Sequence, residues 1–161
     1  MRSESDWCLR LQNPELDIRI HAAEALSLFG PEAAYAAVDL VAACADQDAV
    51  REYAVAALEG MGAPSDASIQ GLISALRHHD PLVVFWAVTL LGRILNPSDE
   101  VQKAVAVVAK DAPDRSVQQR AVWALGRMLP LLSETQKLLQ TFQSSDDPRL
   151  ARLATQAIES S

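Results

Sequence analysis

Apolar positions recur in five segments of this 161-residue chain, at a spacing of 32 to 34 residues. In every segment, alanine stands three places after a common anchor position, and leucine or isoleucine stands seven places after it. The anchors are Arg19, Arg51, Val84, Gln118 and Ala151. On a helix that turns about 100° per residue, these positions and the apolar one just before each anchor share one side. Each segment is therefore predicted to be an amphipathic helix, packed closely at its alanine.

Prolines mark a second series in the gaps between these segments. They are Pro31, Pro64, Pro97 and Pro130, each 33 residues after the last. Because proline lacks a backbone donor and fixes φ, it ends one helix and can open the next. The first-type helices, which carry the anchors, are predicted at about 15–29, 47–61, 80–95, 114–129 and 147–159. The second-type helices, which follow the prolines, are predicted at about 32–44, 65–77, 98–110 and 133–143. Helix pairs repeated every 33 or so residues indicate an α-solenoid.

Several repeats share a short motif around the anchor. It reads Val50-Arg51 with Ala54, Leu58 and Gly62, and Ile18-Arg19 with Ala22, Leu26 and Gly30, and two other repeats open with Asp80-Pro81 and Asp147-Pro148. This motif resembles that of HEAT and HEAT-like repeats, among them the short repeats named after phycobiliprotein lyases. The resemblance implies an all-α, right-handed solenoid of about four and a half HEAT-like helix pairs. Residues 1–161 are predicted to form a single domain, with repeats at about 13–45, 46–78, 79–110 and 111–144 and a partial repeat at 145–161.

Composition and charge narrow the function classes. Half of the residues are hydrophobic but only 5% are aromatic, which suits helix packing through small residues. The net charge of −7 is dispersed, and the basic residues are scattered rather than clustered, so nucleic acid is not expected as a partner. The longest uncharged apolar run, 82–91, is too short to span a bilayer, and residues 1–6 lack the apolar core of a secretory signal. We expect a cytoplasmic protein without a membrane partner.

Residues suited to catalysis are few and poorly arranged. His78 and His79 precede Asp80, but adjacent side chains point in different directions, and the remaining histidine, His21, is distant in sequence. The two cysteines, Cys8 and Cys44, have no metal-type spacing and are predicted to serve as small hydrophobes. Neither a phosphate-binding glycine loop nor a nucleophile motif occurs. The sequence predicts no enzyme activity, no metal site and no cofactor.

Two surfaces remain as candidates for binding. The resemblance implies that second-type helices line the concave side of the solenoid. Their polar positions, called here the concave strip, are Gln70, Ser74, Arg77, Lys103, Lys110, Gln136 and Gln140. The strip is mixed and weakly basic, which is typical either of a docking groove for an acidic or polar segment or of an ordinary solvated helix face.

Phe85 and Trp123, called here the outer patch, break the polar pattern on the opposite face of the first-type helices. They belong to adjacent repeats, so stacking would bring them near one another, and clustered exposed aromatic residues are typical of contact sites. Trp86, by contrast, is predicted to pack between repeats. A rotation of the helix by one residue would instead bury either member of the patch.

The interpretation is a non-catalytic protein-binding or scaffolding module, either monomeric or weakly self-associating, with a protein partner. The alternative is a phycobilin lyase-like or other ligand-handling subunit, which the resemblance permits. A chromophore lyase would need a cavity with a reactive or acid–base group, and no position of the concave strip offers histidine or cysteine.

Overall fold

The computed structural model describes residues 4–161, and side chains from Asp6 onward; residues 1–3 of the predicted domain lie outside it. The described residues form ten α-helices, two short 3-10 segments and no strand. The helices are α1 (Glu4–Leu11), α2 (Leu16–Ser27), α3 (Ala37–Ala43), α4 (Asp48–Met61), α5 (Ile69–Ala75), α6 (Pro81–Leu91), α7 (Asp99–Asp111), α8 (Arg115–Leu125), α9 (Ser133–Phe142) and α10 (Pro148–Glu159). The 3-10 segments, Gly30–Ala36 and Asp66–Ser68, lead into α3 and α5.

The helices form two layers. Even-numbered helices α2 to α10 are the first-type helices, and odd-numbered helices α3 to α9 are the second-type helices; each packs on the next of its own layer for most of the chain. Helix α1 packs against α2 and α3, where the second-type helix of a preceding pair would lie. The predicted all-α solenoid of about four and a half helix pairs is therefore confirmed.

The core follows the predicted register. The recurring alanines Ala22, Ala54, Ala87, Ala121 and Ala154 are all 0% exposed. Leu26, Leu58, Leu91 and Leu125, seven places after their anchors, are also 0% exposed. Trp86, predicted to pack between repeats, is 7% exposed and belongs to the buried core. Within residues 4–161, no helix is long and apolar enough to cross a membrane.

Helix ends differ from the predictions in two ways. Helices α6 and α8 end at Leu91 and Leu125, four residues before the predicted ends, and Gly92 and Gly126 follow directly after them. Ser98 caps α7 by accepting from the Val101 N–H, whereas Ser65, which precedes the 3-10 segment before α5, bonds to the Ser68 hydroxyl and makes no such cap. Aspartates cap three first-type helices instead: Asp80, Asp114 and Asp147.

Adjacent first-type helices are tied together where they end. The Arg93 guanidinium donates to the Leu58 carbonyl at 2.7 Å, and that of Arg127 donates to the Gly92 carbonyl at 2.9 Å. At the same level, a β-carbon on Gly92 would lie 2.9 Å from the Ala124 β-carbon and 2.9 Å from the Trp123 ring. Glycine thus permits α8 to approach α6 closely, and this approach places Trp123 against the preceding repeat.

Candidate functional site

The outer patch lies where α6, α8 and α10 meet. Phe85 and Trp123 are both half-buried and pack partly against the core, so neither stands fully free on the outer face. Phe85 meets the buried Trp86 edge to face, with ring centroids 5.9 Å apart. The Trp123 ring covers Gly92, which has no side chain to hold it away. Contacts with Trp86 and with the backbone at Gly92 therefore hold the two rings of the outer patch in place.

Arg120 joins the two aromatic rings. Its guanidinium carbon lies 4.5 Å from the Phe85 ring centroid and 4.7 Å from that of Trp123. Such stacking attracts a cation to the ring face and leaves the guanidinium edge free to donate hydrogen bonds. Sequence reading missed Arg120, although its position, two residues after an anchor and three before Trp123, places it beside the patch.

The Arg120 guanidinium has no oxygen partner within residues 6–161. The other half-buried arginines, Arg10, Arg19, Arg51 and Arg93, each donate to a carboxylate or a main-chain carbonyl. Burial lowers the pKa of Arg120, and the nearby positive charges of Arg149 and Arg93 lower it further. Arg120 is thus a partly desolvated cation without a compensating anion.

The three helices enclose a surface pocket of about 340 Å³, called here the outer pocket. It is lined by Phe85 from α6, by Ser116, Gln119, Arg120 and Trp123 from α8, and by Arg149 and Leu153 from α10. No carboxylate lines the pocket. Two arginines, two aromatic rings and one leucine therefore share a concave surface.

Asp147, the nearby carboxylate at the start of α10, is already engaged. Its oxygens accept from the Gln119 amide at 2.7 Å and from the backbone N–H groups of Arg149 and Leu150, and Arg115 lies 3.7 Å away. The Gln119 hydrogen bond is the main reason why the pKa of Asp147 is lowered. Asp147 therefore holds α8 and α10 together at the rim and does not neutralise Arg120.

Charge changes sign along the first-type helices. Helix α4 carries three carboxylates and one arginine, α6 carries no charge, and α8 carries two arginines and no carboxylate. Helix α10 adds two arginines and one glutamate. The outer face is thus acidic at α4 and basic at α8 and α10, although the whole chain is acidic.

All seven residues of the concave strip are exposed and lie on α5, α7 and α9, or, for Arg77, just after α5. The strip thus extends over three neighbouring helices. The Gln70 amide donates to the Glu100 carboxylate at 3.1 Å, which links α5 to α7 across it. Glu100 and the 58%-exposed Val107 interrupt the basic character that the sequence suggested.

A second cavity, of about 300 Å³, opens between the ends of α5 and α7 and the starts of α6 and α8. Leu76, Val84 and Val107 give it an apolar wall, and His78 and His79 line its rim, with ring centroids 4.4 Å apart. The His78 ring accepts from the Asp80 backbone N–H, and Asp80 caps α6. Within the described residues, no group of three or more His, Cys, Asp or Glu is arranged to hold a metal ion.

Cys44 is buried and so is not placed to act as a nucleophile. It is 0% exposed, and its thiol lies 3.5 Å from the Leu40 carbonyl, to which it donates. Burial is the main reason why the pKa of the thiol is raised to about 12, so the thiolate needed for nucleophilic attack does not form near neutral pH. The prediction that Cys44 packs as a small hydrophobe is confirmed.

Comparison with known proteins supports the fold. The family model described as HEAT repeats matches residues 37–126 and again residues 69–159, which together span most of the chain. No curated protein sequence matches. Among solved structures, an engineered protein is 21% identical with a TM-score of 0.63, over 99% of this chain and 79% of that one.

Two further solved structures are similar in fold. A designed armadillo repeat protein in complex with the peptide (KR)4 is 19% identical, with a TM-score of 0.63 over 97% of this chain and 80% of that one. The complex of CpcE and CpcF of phycocyanin lyase from Nostoc sp. PCC7120 is 18% identical, with a TM-score of 0.59 over 98% of this chain and 96% of that one. At these identities the likeness concerns the fold alone.

Proposed function

Because this chain belongs to the HEAT-repeat family, whose fold hosts many unrelated roles, we propose from its surface that it is a non-catalytic module that docks on a partner protein through the outer patch. One observation carries the proposal: Phe85 and Trp123 hold Arg120 between their rings at 4.5 and 4.7 Å. Trp, Tyr and Arg are the residues most enriched among those that dominate binding energy at protein interfaces.

The neighbours of Phe85 and Trp123 hold both rings in place, which favours a docking role for the outer patch. The Trp123 ring rests on the backbone of α6 at Gly92, and Phe85 is supported edge to face by the buried Trp86. Side chains held in this way lose little conformational freedom when a partner covers them, so more of their contact energy is available for affinity. The designed armadillo protein in complex with (KR)4 illustrates that a solenoid of this kind accommodates a charged peptide.

The concave strip is a weaker candidate for the main docking surface. It lacks aromatic residues, and its cations Lys103 and Lys110 lie on a helix that also exposes Asp99, Glu100 and Asp111. Exposed ion pairs and single polar residues contribute about 0–1 kcal/mol each, less than buried aromatic anchors. We assign the strip a secondary role in orientation.

The test is affinity capture from the native host with three baits: the unchanged chain, the double variant Phe85→Ser with Trp123→Gln, and the double variant Gln70→Ala with Gln140→Ala on the concave strip. A protein that the unchanged bait and the strip variant retain, and the patch variant loses, is then purified and its affinity for each bait measured. A loss of about tenfold or more on the patch variant alone supports the proposal. Partner binding that survives the patch variant contradicts it.

A ligand-handling role is the second candidate function, and the apolar cavity beside His78 and His79 is the observation that favours it. A histidine at the rim of an apolar wall supplies the acid–base group that the concave strip lacks. Mixing the protein with a bilin and recording the visible spectrum tests it. A shifted band that disappears in Val107→Glu, which places a charge on the apolar wall, would support ligand binding; an unchanged spectrum contradicts the role for bilins.

A further inference from the structure

The outer pocket combines a half-buried guanidinium that lacks an anion with a second arginine, Arg149, on the facing helix. Two like charges converging on one concave surface repel each other, which is costly unless a counter-charge occupies it. Within residues 6–161 no carboxylate takes that place, since Asp147 is held at the rim by Gln119 and the α10 backbone. The pocket therefore has the charge of an anion site.

The walls of the pocket restrict the kind of anion. Phe85, Trp123 and Leu153 line it with apolar surface, so a fully hydrated ion would leave that surface uncovered. The guanidinium carbon of Arg120 lies 4.5 and 4.7 Å from the two ring centroids, which restrains the group, and a guanidinium pairs with a planar carboxylate through two parallel hydrogen bonds. An acidic side chain beside an apolar one satisfies both features.

The surroundings of the pocket favour a short acidic segment over a long polyanion. Helix α6 carries no charge, and α4 beyond it carries three carboxylates. Nucleic acid requires an extended row of cations to neutralise successive phosphates, and a strand running past α6 would meet repulsion at α4. A protein segment with one or two carboxylates would contact only the basic end of this face.

We infer that the outer pocket binds an acidic, apolar-flanked segment of a partner protein, with Arg120 and Arg149 pairing its carboxylates and Phe85 and Trp123 covering its apolar side chain. The inference rests on the proposed docking function and specifies the chemistry of the partner. Arg120 determines specificity for the carboxylate, and the aromatic pair supplies most of the buried apolar area.

Titration of the ¹⁵N-labelled protein with the peptide acetyl-Glu-Leu-Glu-Leu-Glu-amide, followed by NMR, tests this. The observed signals are the indole N–H of Trp123 and the Nε–H of Arg120. Saturable shifts of both are expected, and the same peptide with Gln in place of Glu should produce none. Arg120→Gln and Arg149→Gln should each weaken binding about tenfold, because each removes one charge-assisted pair.

Lys137→Gln is the matched control, since it removes the same charge from an exposed residue of α9 that belongs neither to the outer pocket nor to the concave strip. It should leave the affinity unchanged; an equal loss would mean that general attraction to a basic surface explains the binding, and would overturn the inference. The absence of a saturable shift up to several millimolar peptide would also overturn it. Two further outcomes contradict it: tighter binding of single-stranded DNA at Trp123, which indicates nucleic acid, and concentration-dependent shifts without peptide, which indicate a second copy of the chain.

The outcome is separable from the proposed function. If a captured partner is lost with the Phe85 and Trp123 double variant but retained with Arg120→Gln, docking through the outer patch stands and carboxylate recognition fails. If the partner survives both changes, docking through the outer patch fails. Arg149 is exposed, so Arg149→Gln should fold normally and keeps the test valid if Arg120→Gln does not.

Discussion

Gln102 is a buried polar residue whose side chain serves three main-chain groups of the loop between α8 and α9. Its amide nitrogen donates to the Met128 and Pro130 carbonyls at 3.0 and 3.2 Å, and its oxygen accepts from the Leu132 N–H at 2.7 Å. The residue is 4% exposed. The Gln102 side chain therefore supplies hydrogen bonds to three loop groups that α8 and α9 do not pair.

Gln102→Ala should lower the free energy of unfolding by about 2–4 kcal/mol, because buried donors and acceptors left without partners cost about 1–3 kcal/mol each. Urea denaturation measures this. Gln136→Ala, at an exposed glutamine of α9, is the control and should change stability by less than about 0.5 kcal/mol. Equal stability of both variants would show that solvent satisfies the loop without Gln102.

Phe85 and Trp123 are half-buried rather than fully exposed. Replacing either should therefore lower the free energy of unfolding. Phe85→Ser and Trp123→Gln should each cost about 1–2 kcal/mol, less than the 3–5 kcal/mol of a fully buried aromatic residue. Thermal melts of the single variants decide this. A loss above about 3 kcal/mol for both would mean that they belong to the core and that binding effects cannot be separated from unfolding.

At the scale of the helix, glycine near the end of each of two first-type helices sets the distance to the next. Gly92 and Gly126 stand eight places after their anchors, and added β-carbons would lie 2.9 Å from that of Ala124 and 3.1 Å from that of Ala157. The two sites are equivalent by repeat. Close helix contact is thus built into the same point of successive repeats.

Gly92→Ala should destabilise the protein by about 1–3 kcal/mol, because the added methyl overpacks the contact with Ala124 and Trp123. Gly60→Ala is the matched control with the opposite sign: its β-carbon would meet nothing closer than 3.8 Å, and within α4 alanine is favoured over glycine by up to about 1 kcal/mol. Chemical denaturation of both variants measures the difference. A stabilised Gly92→Ala would show that α8 can shift away at no cost.

Much of this architecture could be predicted from the sequence because repetition supplies five samples of one pattern. Alanine at one offset identified the buried face, and the core residues Leu58 and Leu91 followed from it. The sequence did not predict contacts that depend on one residue rather than on the repeated pattern. Gln102 acts through contacts to the loop after α8, and Arg120 through a contact to α6, and no spacing along the chain reveals either.

At the scale of the whole molecule, carboxylates paired in the native state link stability to acid. Asp46 accepts two hydrogen bonds from Arg19, at 2.7 and 3.0 Å, and this pairing is the main cause of its lowered pKa; the pKa of Asp147 is also lowered, chiefly by Gln119. A carboxyl whose pKa is lower in the folded state stabilises the protein above its unfolded pKa of about 3.9 and loses that contribution as pH falls.

The free energy of unfolding should therefore decline as pH falls from about 5 through the lowered pKa values. Asp46→Asn should reduce the slope of this decline, because it removes the titrating group together with the ion pair. Denaturant unfolding at a series of pH values measures the slope. An unchanged slope in Asp46→Asn would place the acid sensitivity elsewhere.

The arginine ties between first-type helices have a further consequence for how the chain opens. They join α4 to α6 and α6 to α8, whereas Gly60 and Ser160 occupy the equivalent positions in the second and fifth repeats and make no such bond. In a solenoid, cooperativity depends on coupling between nearest neighbours, so the two ties should strengthen the coupling among α4, α6 and α8. Amide hydrogen exchange should show these three helices opening as one foldon. Arg127→Gln should detach α8 from that foldon and leave α4 and α6 together.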